Sequence, residues 1–224
     1  LLGDIYKQVD DTACRCSEKI ETQFPKLTRF MTGYNLAHVI DDDSQKFNLN
    51  AIISGSEGTL AIVNELTLKL TPLPKHKKLL VLQYASFSEA LEHGKMLLKG
   101  KPDSIETIDQ TILNSAKTDV IYDEVKTFIT NNDYEAGAIN LVEFANDDLA
   151  ALDITVENLA DQLKEEDKQP KVTCVDDPND IAQLWQLRKK SVGLLSKTKN
   201  IRRPRSGMED TVVPPEYLAE FIGE

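Results

Sequence analysis

An α+β fold is what this sequence predicts, and three observations predict it. The first is a glycine turn, Gly55-Ser56-Glu57-Gly58, set between a short apolar run and an alternating segment. The second is the stretch Thr71-Pro72-Leu73-Pro74-Lys75-His76-Lys77-Lys78, where two prolines and a basic run end one pattern before another begins. This places a domain boundary between residues 1–74 and 75–224. The third is the order of patterns beyond it, strand, helix, strand, strand, helix, strand, which is the order of a ferredoxin-like antiparallel sheet. Short connections favour that sheet carrying its helices on one face.

From the start of the chain, Leu2, Ile5, Tyr6, Val9, Ala13, Cys16 and Ile20 recur at spacings of three and four, the signature of an amphipathic helix up to Phe24. Pro25 stops it. Arg29 to Leu36 reads as extended or loop, with Gly33 its flexible point. Asp41-Asp42-Asp43 is a solvated loop rather than a metal site, because adjacent carboxylates on a loop repel one another unless a cation is held between them. Phe47 to Ile53 leads into the glycine turn as a helix or short strand. From Ala61 to Leu70 the residues alternate, Asn64, Leu66, Leu68 and Leu70 opposite Val63, Glu65, Thr67 and Lys69, which predicts a half-buried strand.

Past the boundary, Leu79–Tyr84 is a strand and Ser86 caps a helix running to about Leu98. Gly100-Lys101-Pro102 breaks it, and Ser104–Ile108 is the second strand. A helical insert follows, with Leu113, Ala116, Val120, Val125, Phe128 and Ile129 apolar. Ala138–Phe144 is the third strand, Asp147–Lys168 a long acidic helix and Lys171–Val175 the fourth strand. The helix Asn179–Ser196 carries Ile181, Leu184, Trp185, Leu187, Val192 and Leu195 on its apolar side, with Arg188 three positions after Trp185 on the same face. Pro214-Pro215 opens a terminal helix.

At 224 residues the chain is long enough for a substantial core, and 41% hydrophobic with 28% charged residues is ordinary for a soluble globular protein. No apolar run reaches the roughly 20 residues that a membrane-spanning helix needs. A net charge of -11 argues against a nucleic-acid partner, since phosphate contacts demand a basic surface. Cys14, Cys16 and Cys174 lack the spacing of a zinc or redox pair and read as reduced thiols of a cytoplasmic protein. A start at Leu1 rather than Met suggests a piece of something longer.

The glycine turn is the most informative stretch for function. Two glycines separated by two residues let the backbone approach a ligand with its amide N–H groups exposed, as a phosphate cradle requires. The spacing alone more often marks a plain tight turn. The absence of Gly-Lys-Ser/Thr after the glycines excludes a P-loop, and the absence of Gly-x-Gly-x-x-Gly excludes a Rossmann dinucleotide site.

The longer string Gly55-Ser56-Glu57-Gly58-Thr59-Leu60-Ala61-Ile62-Val63, with Thr32-Gly33-Tyr34-Asn35-Leu36 before it and Pro72-Leu73-Pro74 after it, resembles the FAD-linked oxidase and dehydrogenase family. These are vanillyl-alcohol oxidase-like flavoproteins that include D-lactate, glycolate and D-2-hydroxyglutarate dehydrogenases. The likeness is closest to large bacterial members with an iron–sulfur region, and Ala61 stands where many relatives have Gly. It implies that residues 1–74 are the later half of a two-subdomain FAD-binding domain and 75–224 an incomplete substrate cap. It further implies flavin contacts from Gly33, Tyr34, Asn35, Gly55, Ser56, Glu57, Gly58, Thr59 and Ile62. An iron–sulfur cluster would lie elsewhere in the parent chain.

Trp185-Gln186-Leu187-Arg188 resembles the family's Trp-x-x-Arg element, whose arginine anchors the substrate carboxylate. The second cation expected before Asp210-x-x-x-Pro214 is displaced to Arg202, Arg203 and Arg205, with Met208 at the nearest position. His38, His76 and His93 fall in a loop, a linker and a surface-helix pattern, so no general base is identified. The resemblance places that base and the metal ligands beyond Glu224. The expected activity is FAD-dependent oxidation of a D-2-hydroxy acid, with the piece alone inactive and retaining FAD weakly or not at all. The electron acceptor is not identified, and assembly into a homo-oligomer is left open. The competing reading is a non-catalytic ferredoxin-like module that binds a regulator or partner chain.

Overall fold

A computed structural model describes residues 2–24, 26, 33–40, 46–130, 135–166, 169–196 and 211–223; side chains at 192, 195 and 196 are not part of that description. The chain forms two compact units, Leu1–Leu70 and Thr71–Glu224.

In the first unit, the opening helical pattern becomes two helices, α1 (Leu2–Arg15) and α2 (Ser17–Gln23), parted at Cys16. A short helix α3 (Asn50–Ile53) precedes the glycine turn, and one antiparallel bridge joins Ile40 to Phe47. Ala13, Val39 and Ile52 form a small core, flanked by Val9, Leu36 and Phe47. Much of the apolar stripe of α1 stays outside it, with Leu2, Ile5 and Tyr6 exposed.

The strand expected over residues 61–70 does not form. The segment takes no regular structure, and Ile62 is 97% and Leu70 86% exposed. A strand exists only through ladder hydrogen bonds to a neighbour. Apart from the single Ile40–Phe47 bridge, the described residues of this unit pair with no strand.

The second unit is built on a four-stranded sheet in which every pairing is antiparallel. Its strands are β1 (His76–Tyr84), β2 (Ser104–Asp109), β3 (Ala138–Asn146) and β4 (Lys171–Val175), in spatial order β2-β3-β1-β4. β1 and β2 therefore run the same way with β3 between them, the split arrangement of the ferredoxin-like fold. Leu79 faces Glu143 and Val175 across β1, and Glu106 faces Leu141 across β2 and β3.

Helices on one face only were expected, and this is corrected: both faces are covered. Leu80, Leu82, Val142 and Phe144 pack against α4 (Phe87–Glu92), α5 (Gly94–Leu97) and α8 (Leu149–Lys164). Leu79, Val81, Ile139 and Leu141 pack against α6 (Gln110–Ala116), α7 (Ile121–Ile129) and α9 (Pro178–Ser196). The cause is visible in β1, where six successive residues from Leu79 to Tyr84 are buried. A sheet wet on one side alternates, whereas one sandwiched between helix layers is apolar throughout. Each buried leucine contributes about 2 kcal/mol.

Local capping fixes where these helices begin. Ser86 accepts a hydrogen bond from the Glu89 N–H, Asp109 from that of Ile112, and Asp148 from those of Ala150 and Ala151. Val120, expected on the apolar side of the insert, is 80% exposed because it stands just before α7 rather than within it. A 3₁₀ turn, Pro215–Tyr217, leads into α10 (Leu218–Gly223). Among the described residues, no helix is long and apolar enough to cross a membrane.

Candidate functional site

In the first unit, the two glycine-bearing segments named from the sequence lie side by side. A Cβ built on Gly55 would come within 4.0 Å of the Gly33 carbonyl oxygen. The Tyr34 hydroxyl is 2.9 Å from Thr59 Oγ1. Thr59 donates its single hydroxyl proton to the Ser56 carbonyl at 2.6 Å, so Tyr34 must be the donor to Thr59. His38 Nδ1 meets Asn35 Oδ1 at 2.8 Å and steadies the start of the adjoining 3₁₀ turn, Leu36–His38.

The turn itself needs glycine. Gly33, Gly55 and Gly58 have φ of 71°, 91° and 76°, in the left-handed region that a Cβ disfavours. Glu57 enters the same region at φ 51°. Ser56 is buried, its N–H bonded to the Ile53 carbonyl, and the Thr59 N–H closes on the Ser56 carbonyl. The N–H groups of Gly55, Glu57 and Gly58 have no such partner among the described residues. No atom lies within 4 Å of where a Cβ on Gly58 would stand. Exposed amides with no side chain over them are what a pyrophosphate or flavin edge requires, so the residues present fit an FAD group. Ile62 is exposed beyond the turn.

In the second unit, α9 carries Trp185 and Arg188 over the sheet face formed by Leu79, Val81 and Leu141, anchored by buried Ile181, Leu184, Leu187 and Leu194. The Trp185 indole N–H donates to Glu143 Oε2 at 2.7 Å, and Lys77 Nζ donates to Glu143 Oε1 at 2.9 Å. The Arg188 Nε stands 3.1 Å from Glu106 Oε2, with the arginine side chain 49% exposed. The reading of α9 from its spacing named the tryptophan and the arginine but neither carboxylate. The signal was present in Ser104-Ile105-Glu106-Thr107-Ile108, where alternation puts Glu106 in phase with the core residue Ile108.

His38 is exposed and His76 partly buried in β1. His93, expected on a helix surface, is instead buried, edge-on to the Tyr84 ring with centroids 5.2 Å apart. The chain breaks between α4 and α5 at His93, which turns its ring inward. Cys174 is exposed, yet partial desolvation of its sulfur raises the thiol above its ordinary value, which favours the protonated form near neutral pH. The described residues contain no cluster of three or more His, Cys, Asp or Glu that could hold a metal ion. Asp41, Asp42 and Asp43, and the cations Arg202, Arg203 and Arg205 with Met208, lie outside the described residues.

Comparison with known proteins agrees with this chemistry. Residues 73–224 match the C-terminal domain of the FAD linked oxidases. The chain is 39% identical over 228 residues to a D-2-hydroxyglutarate dehydrogenase of Pantoea ananatis, covering 99% of this chain and 22% of that protein. It is 38% identical to the protein of the same name from Escherichia coli, covering 100% of this chain and again 22% of the relative. The glycolate oxidase subunit GlcD of Bacillus subtilis is 28% identical over 193 residues, 85% of this chain and 37% of that protein. The chain thus spans about a fifth of the length of the first two relatives, and it belongs to the FAD-linked oxidase family.

Proposed function

We propose that these residues serve an FAD-dependent dehydrogenase that oxidises a D-2-hydroxy acid to the 2-oxo acid, with D-2-hydroxyglutarate the favoured substrate and D-lactate the second. The supporting observation is the likeness, along essentially the whole chain, to proteins named D-2-hydroxyglutarate dehydrogenase. In this reading residues 1–74 belong to the flavin-binding domain and 75–224 to the substrate cap. Held by these residues, the flavin would supply the hydride acceptor for oxidation at the substrate's C2.

The chain's own residues have two tasks. Gly33, Tyr34, Asn35 and the turn Gly55-Ser56-Glu57-Gly58-Thr59 line the dinucleotide, with the N–H groups of Gly55, Glu57 and Gly58 turned to it and the Tyr34–Thr59 hydrogen bond holding the two segments in register. Arg188 binds the substrate carboxylate. A guanidinium suits that task because its donors match both carboxylate oxygens and it stays charged at any working pH. Reduced Cys14, Cys16 and Cys174 support a cytoplasmic setting. A purely regulatory ferredoxin-like module gains nothing from a bend with three glycines at positive φ, and family membership weighs against it.

In the full-length protein, Arg188→Ala should raise KM for D-2-hydroxyglutarate by about 100-fold, the loss of one charged hydrogen-bond pair. Steady-state kinetics followed by flavin bleaching reads this directly. Unchanged KM for both D-2-hydroxyglutarate and D-lactate would remove the assignment.

A further inference from the structure

The proposed carboxylate anchor does not stand alone on its helix. Glu106 of β2 and Glu143 of β3 project from the same sheet face: Glu106 is paired with Leu141, and Glu143, two residues on, with Ser104. Glu143 accepts the Trp185 N–H at 2.7 Å, and Glu106 forms an ion pair with Arg188, Oε2 standing 3.1 Å from Nε. The whole Trp-x-x-Arg element is thereby seated on two carboxylates from neighbouring strands. One helical turn and one diagonal step across the sheet are matched in length.

We infer that Glu106 is a positioning residue for substrate binding, holding the Arg188 guanidinium by its Nε edge so that the two terminal amino groups face the incoming carboxylate as a preformed fork. An arginine side chain is long and rich in rotamers, and fixing it only on arrival of substrate costs binding free energy. The carboxylate meets the guanidinium at Nε, 3.1 Å away, and no hydrogen bond to the Nη pair is made among the described residues. Among the described residues, no other partner of Arg188 competes with a ligand for those two groups. The pair is too exposed, at 49% and 35%, to matter much for folding, because solvent screens it. Its worth therefore lies in orientation. This inference rests on the substrate role of Arg188.

The test is a double-mutant cycle in the full-length flavoprotein with D-2-hydroxyglutarate as substrate. Glu106→Gln, which keeps shape and loses charge, should raise KM about tenfold with kcat within about twofold. Its melting temperature should stay within about 3 °C of the parent. Glu106→Asp, one methylene short, should recover part of the loss. In the Arg188→Ala background, Glu106→Gln should add nothing, since Glu106 acts only through the arginine. KM within twofold of the parent for Glu106→Gln, or a full tenfold added on top of Arg188→Ala, overturns the positioning role alone. An Arg188→Ala enzyme with parental KM overturns the substrate role and this inference with it.

Discussion

Tyr84 shows how far a single residue can depart from what its sequence position announces. It ends β1, and its hydroxyl is buried beside the Asn140 amide without a well-formed hydrogen bond among the described residues. Burial pushes its pKa well above the ordinary tyrosine value of 10.0. An unfolded tyrosine gives up its proton near that value while the folded one holds it, so this contribution to stability is complete below about pH 10 and is lost as pH rises further. Thermal melts between pH 8 and 11 should show the fall. Tyr84→Phe should flatten it and leave neutral-pH stability unchanged or about 1 kcal/mol higher, because no hydrogen bond is given up. At this scale the sequence revealed the glycines of the turn, since a bend with positive φ at Gly33, Gly55 and Gly58 tolerates few other residues. It did not reveal Glu106, whose meaning depends on an arginine 82 positions away brought over β2 by α9.

Elements were more legible wherever their bonding is local. The four strands of the second unit and the cap Ser86 could be read because short apolar runs bounded by turn residues, and a polar residue before a helical pattern, leave direct marks in sequence, whereas the caps Asp109 and Asp148 went unread. The covering of both sheet faces was missed, although the unbroken run Leu79-Leu80-Val81-Leu82 signalled it. Two buried amides show how the helix layers are tied to the sheet. Asn140 donates to the Ala90 carbonyl of α4 at 2.8 Å and accepts from Thr107 at 2.7 Å, while Gln83 donates to the Phe128 carbonyl of α7 at 2.8 Å. The entry to β3 is tighter still. A Cβ on Gly137 would fall 2.1 Å from the Ala85 carbonyl oxygen, where backbone meets backbone and nothing can rotate aside. Gly137→Ala should therefore cost about 3 kcal/mol or more, readable as an earlier urea midpoint at unchanged slope.

For the molecule as a whole, the two units differ in how self-sufficient they are. The second closes a core on each side of its sheet, whereas among the described residues the first buries Ala13, Val39 and Ile52 as a small cluster. The alternation over residues 61–70 failed as a prediction of a strand because pairing needs a neighbour that local pattern cannot supply. Among the described residues those ten find no backbone hydrogen-bond partners, beside bare Leu66, Leu68 and Leu70. Such a ribbon is a template for copies of itself, and only the mutual repulsion of polypeptides each bearing a charge of -11 opposes stacking. Prepared as this 224-residue polypeptide, the protein should scatter light increasingly with concentration and with added salt. Leu68→Lys, a single gatekeeper charge at a 71% exposed position, should suppress the turbidity without moving the melting temperature.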